Sequence, residues 1–175
     1  LNAFPDDGAL PGFPELRRRA ATPADAGWIA ELRADVLRES LERLGRYDPE
    51  EVRARFRRGF QPEFTCVFFL DEKPVGSLAL RREGGVGHDG RPGGADRPGR
   101  TWLEHFYLAS AVQGRGVGAG LLTLLTDRAD ALGEELRLNV LRLSPAQRLY
   151  ARHGFTVDAE DEVDVYMSRR ARARV

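Results

Sequence analysis

The stretch QGRGVGAG, Gln113 to Gly120, sets glycines at positions 114, 116, 118 and 120 around a single arginine, Arg115. It follows the mostly apolar TWLEHFYLA and precedes LLTLLTDRADALG, so a strand-like run feeds a helix-like run through very flexible residues. Flexibility at such a junction costs folding free energy. Anion binding is the chemistry that offsets it. A strand entering a helix this way points several backbone N–H groups, and the positive end of the helix dipole, at one spot. Glycines at 114, 116 and 118 keep side chains out of a phosphate's path, and Arg115 adds a charge-assisted bond. The alternative is a glycine-rich turn that binds nothing. Three further residues near this stretch carry proton chemistry: Glu104 and His105 in the preceding run, and Tyr150 in the later SPAQRLYARHGF.

Two phosphate-binding patterns fail here. A P-loop needs Gly-Lys-Ser/Thr at the start of its helix to hold phosphate and magnesium, where this chain has Gly118, Ala119 and Gly120. The dinucleotide fingerprint G-x-G-x-x-G/A can be laid on GRGVGA, Gly114 to Ala119, but it also demands an acid about 20 residues on, at the end of the next strand. That strand ends Leu141, Arg142, Leu143.

The elements that must position these residues are legible from periodicity. Residues 1–15 carry proline, glycine and aspartate without a pattern and read as a flexible arm. LRRRA is a weak strand. Thr22, Pro23 and Asp25 form a capping box that opens a helix with the apolar stripe Ile29, Leu32 and Val36, closed by Gly45. Asp48 caps a second helix, Glu51 completes its box, and Val52 with Phe56 makes its buried face. FTCVFFL and VGSLALR read as a hairpin. Residues 84–100 hold seven glycines and two prolines and read as a mobile insertion. TWLEHFYLA is a strand and residues 116–133 a helix facing inward through Val117, Leu121, Leu124 and Leu132. ELRLNVLRL is a strand, SPAQRLYARHG a capped helix closed by Gly154, and FTVD and EVDVYMS two last strands. A single mixed α/β domain over residues 16–170 follows, with a central sheet of about six to seven strands, helices on both faces, and a tail at 171–175.

Composition narrows the partners. Basic and acidic side chains number 27 each, so overall charge gives no reason to expect nucleic acid or an anionic membrane as partner. No run is long enough to span a membrane and no signal peptide is visible, which points to a cytoplasmic protein. Cys66, the single cysteine, sits within TCVFFL and reads as a small buried hydrophobe. His88, His105 and His153 are widely separated, so no metal site is expected.

A third pattern, Q/R-x-x-G-x-G/A, is satisfied by Gln113, Gly116 and Gly118, and SPAQRLYARHGF is similar to N-P-x-x-x-L-Y-x-x-x-G-F. On these motifs and the element order, residues 16–169 resemble the GNAT superfamily of N-acetyltransferases. The resemblance implies that the backbone of Phe106, Tyr107 and Leu108 runs beside the pantetheine arm of acetyl-coenzyme A. Gly114, Arg115, Gly116, Val117, Gly118 and Ala119 would hold its pyrophosphate after Gln113, and Tyr150 would lie near the leaving sulfur. Ser144 stands where relatives carry asparagine; it can still cap the helix, as a cofactor contact of altered type. Many members of the family pair, which leaves a homodimer open.

Moving an acetyl group from a thioester to an amine needs a neutral amine, a stabilised oxyanion and a protonated thiol. An alkylammonium with a pKa of about 10.4 is neutral roughly once in 10³ molecules at pH 7, so a base or water chain is required. Strand alternation puts Glu104 on one face with Trp102, Phe106 and Leu108, making it the first candidate base. It puts His105 on the other with Leu103 and Tyr107, unless a bulge reverses the parity. Histidine matches neutral pH better. Tyr150 is the candidate acid, and Asn139 a group to orient water or acceptor. The acceptor, a small-molecule or peptide amine, is expected against the first two helices, lined by some of Glu31, Asp35, Arg38, Glu39, Glu42, Arg43, Arg46 and Tyr47, with Arg38, Glu39 and Tyr47 foremost. An inward arginine there would favour a carboxylate-bearing acceptor; an inward glutamate, a polyamine or aminoglycoside. The competing function is a coenzyme A binding module without turnover.

Overall fold

The computed structural model describes residues 8–83 and 99–172. The fold is mixed α/β: strands β1 (Gly8–Leu10) and β2 (Phe13–Ala20), helices α1 (Ala26–Arg43) and α2 (Pro49–Gly59), and strands β3 (Thr65–Leu70), β4 (Lys73–Glu83) and β5 (Arg100–Leu108). Helix α3 (Val117–Leu132), β6 (Glu135–Leu141), α4 (Ala146–Arg152), β7 (Thr156–Glu160) and β8 (Asp164–Arg169) follow. The strands are ordered β1-β2-β3-β4-β5-β6-β8-β7. The β5–β6 pair is parallel, over Arg100–Trp102 and Glu135–Arg137, whereas β2–β3, β3–β4, β6–β8 and β7–β8 are antiparallel.

Eight strands exceed the expected six to seven, and the reason lies in the supposed arm. Leu10 and Leu16 are buried and Gly12, at φ +82°, turns β1 back on β2, so apolar anchors order the chain from Gly8 where polar composition suggested none. Residues 1–7, 84–98 and 173–175 lie outside the described residues, and with them most of the expected insertion at 84–100.

Two compact units are delineated. The first takes the described residues up to Ala79 together with His105–Gly120; the second takes Leu80–Glu104 and the chain from Leu121 on. In the first, Ile29 and Ala30 of α1 pack with Phe56 of α2 and Val67 of β3, with Trp28, Phe60, Phe69 and Tyr107 around them. Asp25 reaches back to the Thr22 N–H (2.7 Å) as the capping box predicts. It also accepts from the Arg19 guanidinium (2.8 and 2.9 Å) and the Trp28 indole (2.8 Å). The Arg19 bonds, reinforced by Trp28 and Thr22, hold its carboxyl well below the usual carboxylate range against the opposing effect of burial. Asp48 caps α2 through the N–H groups of Glu50 and Glu51, but the Glu51 carboxylate pairs with Arg58 (2.6 Å) instead of closing the box. Asp71 and Glu72, both at positive φ, make the two-residue turn between β3 and β4.

The stripe of α1 is also rotated from the expected one. Ile29, Ala30, Ala34, Ser40 and Leu41 are buried, while Leu32 and Val36 are only half-buried. Small alanines and a serine let the helix approach its neighbours closely, and a pattern built on large residues alone overlooks them. In the second unit β6 buries Leu136, Leu138 and Val140 on alternate positions, and β8 buries Val165, Met167 and Arg169. Helix α3 turns Leu121, Leu122, Leu125 and Ala129 inward and leaves Leu132 exposed, a correction to the predicted face.

Candidate functional site

Strand β5 does not keep its alternation. His105 adopts φ +51°, a left-handed conformation inside a strand, and the border between the two units in β5 falls between Glu104 and His105. Its carbonyl is taken by the hydroxyl of Ser77 on β4 (2.9 Å), a fully buried side chain. One residue before Ser77, β4 carries Gly76. A Cβ there would meet the Leu108 side chain at 2.7 Å and the Tyr107 carbonyl oxygen at 2.9 Å, so only glycine lets β5 approach so closely. Ser77 and Gly76 were not singled out from the sequence: a small polar residue and a glycine within VGSLALR read as ordinary strand positions.

The irregularity sorts the two candidate bases. Glu104 belongs to the second unit, half-buried, with its carboxylate held by the Arg81 guanidinium at 3.1 and 3.2 Å. Glu83 and Trp102, two residues along each strand, form the adjacent cross-strand contact. His105 belongs to the first unit. Its ring meets Phe56 edge-on (centroids 4.9 Å apart) and its Nδ1 lies 3.4 Å from the Tyr107 hydroxyl.

Beyond β5 the chain turns tightly. The Ala109 N–H bonds the Val75 carbonyl (2.8 Å), Val112 is buried, and the Gln113 side-chain amide donates to the Leu108 carbonyl (2.6 Å), tying the loop back to the strand. Gly114 and Gly116 stand at φ +70° and +81°, with open space where a Cβ would project. Backbone conformation by itself calls for glycine at these two positions, beside the access for a phosphate inferred from sequence. Left-handed residues within a tight turn are a feature of anion nests, in which successive N–H groups turn to one side. The Gly120 N–H already bonds the Gly116 carbonyl (2.9 Å), so Val117 and Gly118 lie in the first turn of α3, where a helix leaves N–H groups without intrahelical partners. Gly120 is needed for a different reason: a Cβ there would lie 2.5 Å from the Phe13 ring. Arg115 is half-exposed and pairs with Glu15 at 3.5 Å, a contact weak enough to exchange for a phosphate. Phe106, Tyr107 and Leu108 are all half-buried.

Tyr150, Ser144 and Asn139 belong to the second unit. Tyr150 is buried on α4 with its ring against Phe155 (5.8 Å), and its carbonyl accepts from His153 and Phe155 where Gly154, at φ +86°, ends the helix. The Ser144 hydroxyl accepts from the N–H of Ala146 (3.2 Å), the first residue of α4, although the capping position itself is taken by Pro145. Asn139 is exposed on β6, opposite Tyr166 of β8.

Of the residues expected to line an acceptor pocket, Arg38 and Tyr47 hold each other. The guanidinium lies 5.3 Å from the ring centroid and its Nε donates to the hydroxyl at 3.3 Å, which raises the Arg38 pKa. Glu39 pairs with Arg43 on the exposed face, and Glu31 pairs with Arg53 and Arg57. Arg33, which the sequence reading did not single out, is half-buried on α1 with its Nε buried and without a hydrogen-bond partner. Among the described residues no group of three or more His, Cys, Asp or Glu side chains is placed to hold a metal, and no helix is long and apolar enough to cross a membrane.

A glycine turn that follows an interrupted strand and opens a helix is a place where a chain can hold an anion. The acetyltransferase (GNAT) family model matches residues 29–155, and the chain belongs to that family. Its fold is shared with the GNAT domain of PAT from S. lividans, 21% identical at a TM-score of 0.63, covering 94% of this chain and 96% of that one. It is shared also with the PaiA N-acetyltransferase of Thermoplasma acidophilum in complex with coenzyme A, 17% identical at 0.61, covering 89% and 98%. Arabidopsis thaliana Naa50, in complex with the bisubstrate analogue CoA-Ac-MVNAL, is 17% identical at 0.57, covering 89% and 98%. No curated protein matches the chain in sequence.

Proposed function

We propose that this protein is an N-acetyltransferase that uses acetyl-coenzyme A to acetylate a primary amine of a small molecule or peptide by direct attack in a ternary complex. The observation that carries the reading is the turn from Leu108 to Gly120, where left-handed Gly114 and Gly116 set up a nest of amides at the start of α3. Those amides fit a diphosphate, and Arg115 joins them by leaving Glu15. The thioester supplies an activated acetyl group. The main chain of Phe106, Tyr107 and Leu108 aligns the pantetheine arm, and Ser144 adds a contact at the start of α4.

His105 takes a proton from the acceptor ammonium, directly or through water, leaving a neutral amine whose lone pair forms the new N–C bond. The C–S bond breaks as the intermediate collapses, and the nitrogen's second proton leaves to restore the phenol of Tyr150. Two features support His105 over Glu104: its position at the break in β5 beside Phe56, and the guanidinium of Arg81 already holding the Glu104 carboxylate. Tyr150, in the role the family resemblance gives it, donates a proton to the departing sulfur, and Asn139 orients water or the acceptor.

The test is release of free thiol from acetyl-coenzyme A across an amine panel, with acetylated products identified by mass spectrometry. His105→Gln is expected to lower kcat about 10²-fold and Tyr150→Phe roughly tenfold, the range of lost proton transfer. A protein that ignores acetyl-coenzyme A at millimolar concentration is not a transferase. Binding without turnover on a wide panel returns the function to a coenzyme A binding module.

A further inference from the structure

Helix α1 spends most of its charge on its outer side, where Glu31, Arg38 and Glu39 are exposed and each has a partner. Arg33 is different. Ile29, Arg33, Leu37 and Ser40 follow one another at i+4, i+4 and i+3, the spacing of one helix face. Ile29 is fully buried at one end of that stripe and Ser40 buried at the other, so Arg33 occupies the middle of the inward face. It has no ion pair or hydrogen bond among the described residues, and its Nε is shut away from solvent. An arginine stays charged at any physiological pH and presents five donors in a fork that matches a carboxylate. Leaving a buried donor unmet costs folding free energy that a leucine or methionine at the same place would not. One turn earlier, Ile29 and Ala30 pack into the cluster that Tyr107 of β5 borders, and the His105 ring rests on Phe56 of that cluster. The inward stripe of α1 therefore starts in the cluster on which the His105 ring rests, and Arg33 lies one turn further along it, within the same compact unit.

We propose that Arg33 is a specificity-determining residue that binds a carboxylate of the acceptor, so that the preferred substrate is an amino acid or another amine carrying an acid group. The inference rests on the transferase reading above and names the substrate class of that site. An anion at Arg33 could also be a phosphate of coenzyme A, and the experiment separates the two.

Wild type, Arg33→Gln and Arg33→Lys are compared on matched acceptors: free amino acids against their α-carboxamides, and ω-amino acids against alkylamines of equal length. Wild type should favour the carboxylate member by at least about tenfold in kcat/KM, the scale of a charge-assisted hydrogen bond. Arg33→Gln should bring that ratio to about one, mainly through the acceptor KM, with the acetyl-coenzyme A KM unchanged, and Arg33→Lys should restore part of it. In parallel, N-acetyl amino acids should raise the Tm of wild type more than their amides do, and not that of Arg33→Gln. This arm decides the matter even if no acceptor on the panel turns over. Equal use of carboxylate and amide acceptors by wild type, or a ratio unmoved in Arg33→Gln, overturns the proposal, as does a raised acetyl-coenzyme A KM with the ratio unmoved. Failure of the transferase reading looks different: acetyl-coenzyme A then neither shifts the Tm nor releases thiol with any variant.

Discussion

Two arginines, one buried and one half-buried, are held on opposite terms. Arg169 of β8, its side chain 4% exposed, has every part of its guanidinium met: Nη1 and Nη2 donate to Asp130 at 2.8 and 2.7 Å, and Nε donates to the His153 carbonyl at 3.0 Å. Arg33 of α1 is half-buried, and its Nε is buried with no hydrogen-bond partner. The first arrangement ties α3, β8 and the end of α4 together within the second unit, and its chemistry ends there. The second carries a desolvation cost that packing alone would remove, the mark of a position kept for a ligand. The same side chain is a fastener where its donors are satisfied and a candidate contact where they are not.

The comparison breaks first at Asp130. Asp130→Ala leaves a buried guanidinium without its counter-charge and is expected to cost about 3 kcal/mol, a Tm fall of roughly 6–12 °C for a chain of this size. Thermal unfolding checks it, and a fall under about 2 °C would show that Arg169 does not need its partner. The pH dependence follows from the same pair. The Arg169 guanidinium, helped by the Arg172 N–H, holds the Asp130 carboxyl down at about 2 from 3.8. Because the folded value is the lower one, the stabilisation is fully present above about pH 4 and is lost as pH falls through about 2. Asp130→Asn should flatten the acid limb of a Tm profile measured between those values.

The next effect in size is at Gly116. Alanine at φ +81° costs about 1–2 kcal/mol by conformation alone and turns the neighbouring amides from their common direction. Gly116→Ala should therefore lower stability modestly in a denaturant titration and weaken acetyl-coenzyme A binding, whereas the same change at Gly59, which lies within α2 and has open space, should leave that binding intact. A smaller effect of opposite sign sharpens the contrast between the arginines. Arg33→Leu removes the unmet donor and is expected to raise stability by up to about 1 kcal/mol, read as a Tm rise of a few degrees. A clear loss would make Arg33 a structural residue like Arg169.

The sequence was most readable where one periodicity or one cap decided the outcome. The ladder at Leu136, Leu138 and Val140, the Asp25 and Asp48 caps, and the QGRGVGAG turn are all local patterns, and each stands in the structure where it was expected. What could not be read depends on partners distant in sequence. Nothing near Glu104 in the chain announces Arg81, and nothing near His105 announces that Ser77 takes its carbonyl and permits a left-handed residue inside a strand. The inward turn of Arg33 is a third case, since the closely packed alanines and serine of α1 rotate the helix away from the face its large residues suggest. β1 is a fourth: its buried anchor, Leu10, lies in a segment whose prolines, glycines and aspartates show no pattern.

The smallest expected effect is the most discriminating for the base. Glu104→Gln removes a half-exposed ion pair with Arg81, and pairs of that exposure contribute about 0–1 kcal/mol. The amide of glutamine still accepts from the guanidinium, so the geometry around the break in β5 should persist. If His105 takes the proton, kcat should change by less than about threefold and stability by less than about 1 kcal/mol. If the carboxylate is the base, a glutamine cannot replace it, and kcat should fall about 10²-fold with the Tm unchanged, since loss of proton transfer does not require loss of fold. Measured beside His105→Gln under saturating acetyl-coenzyme A, the two variants give opposite patterns, and the residue whose loss lowers kcat without lowering Tm is the one that handles the proton.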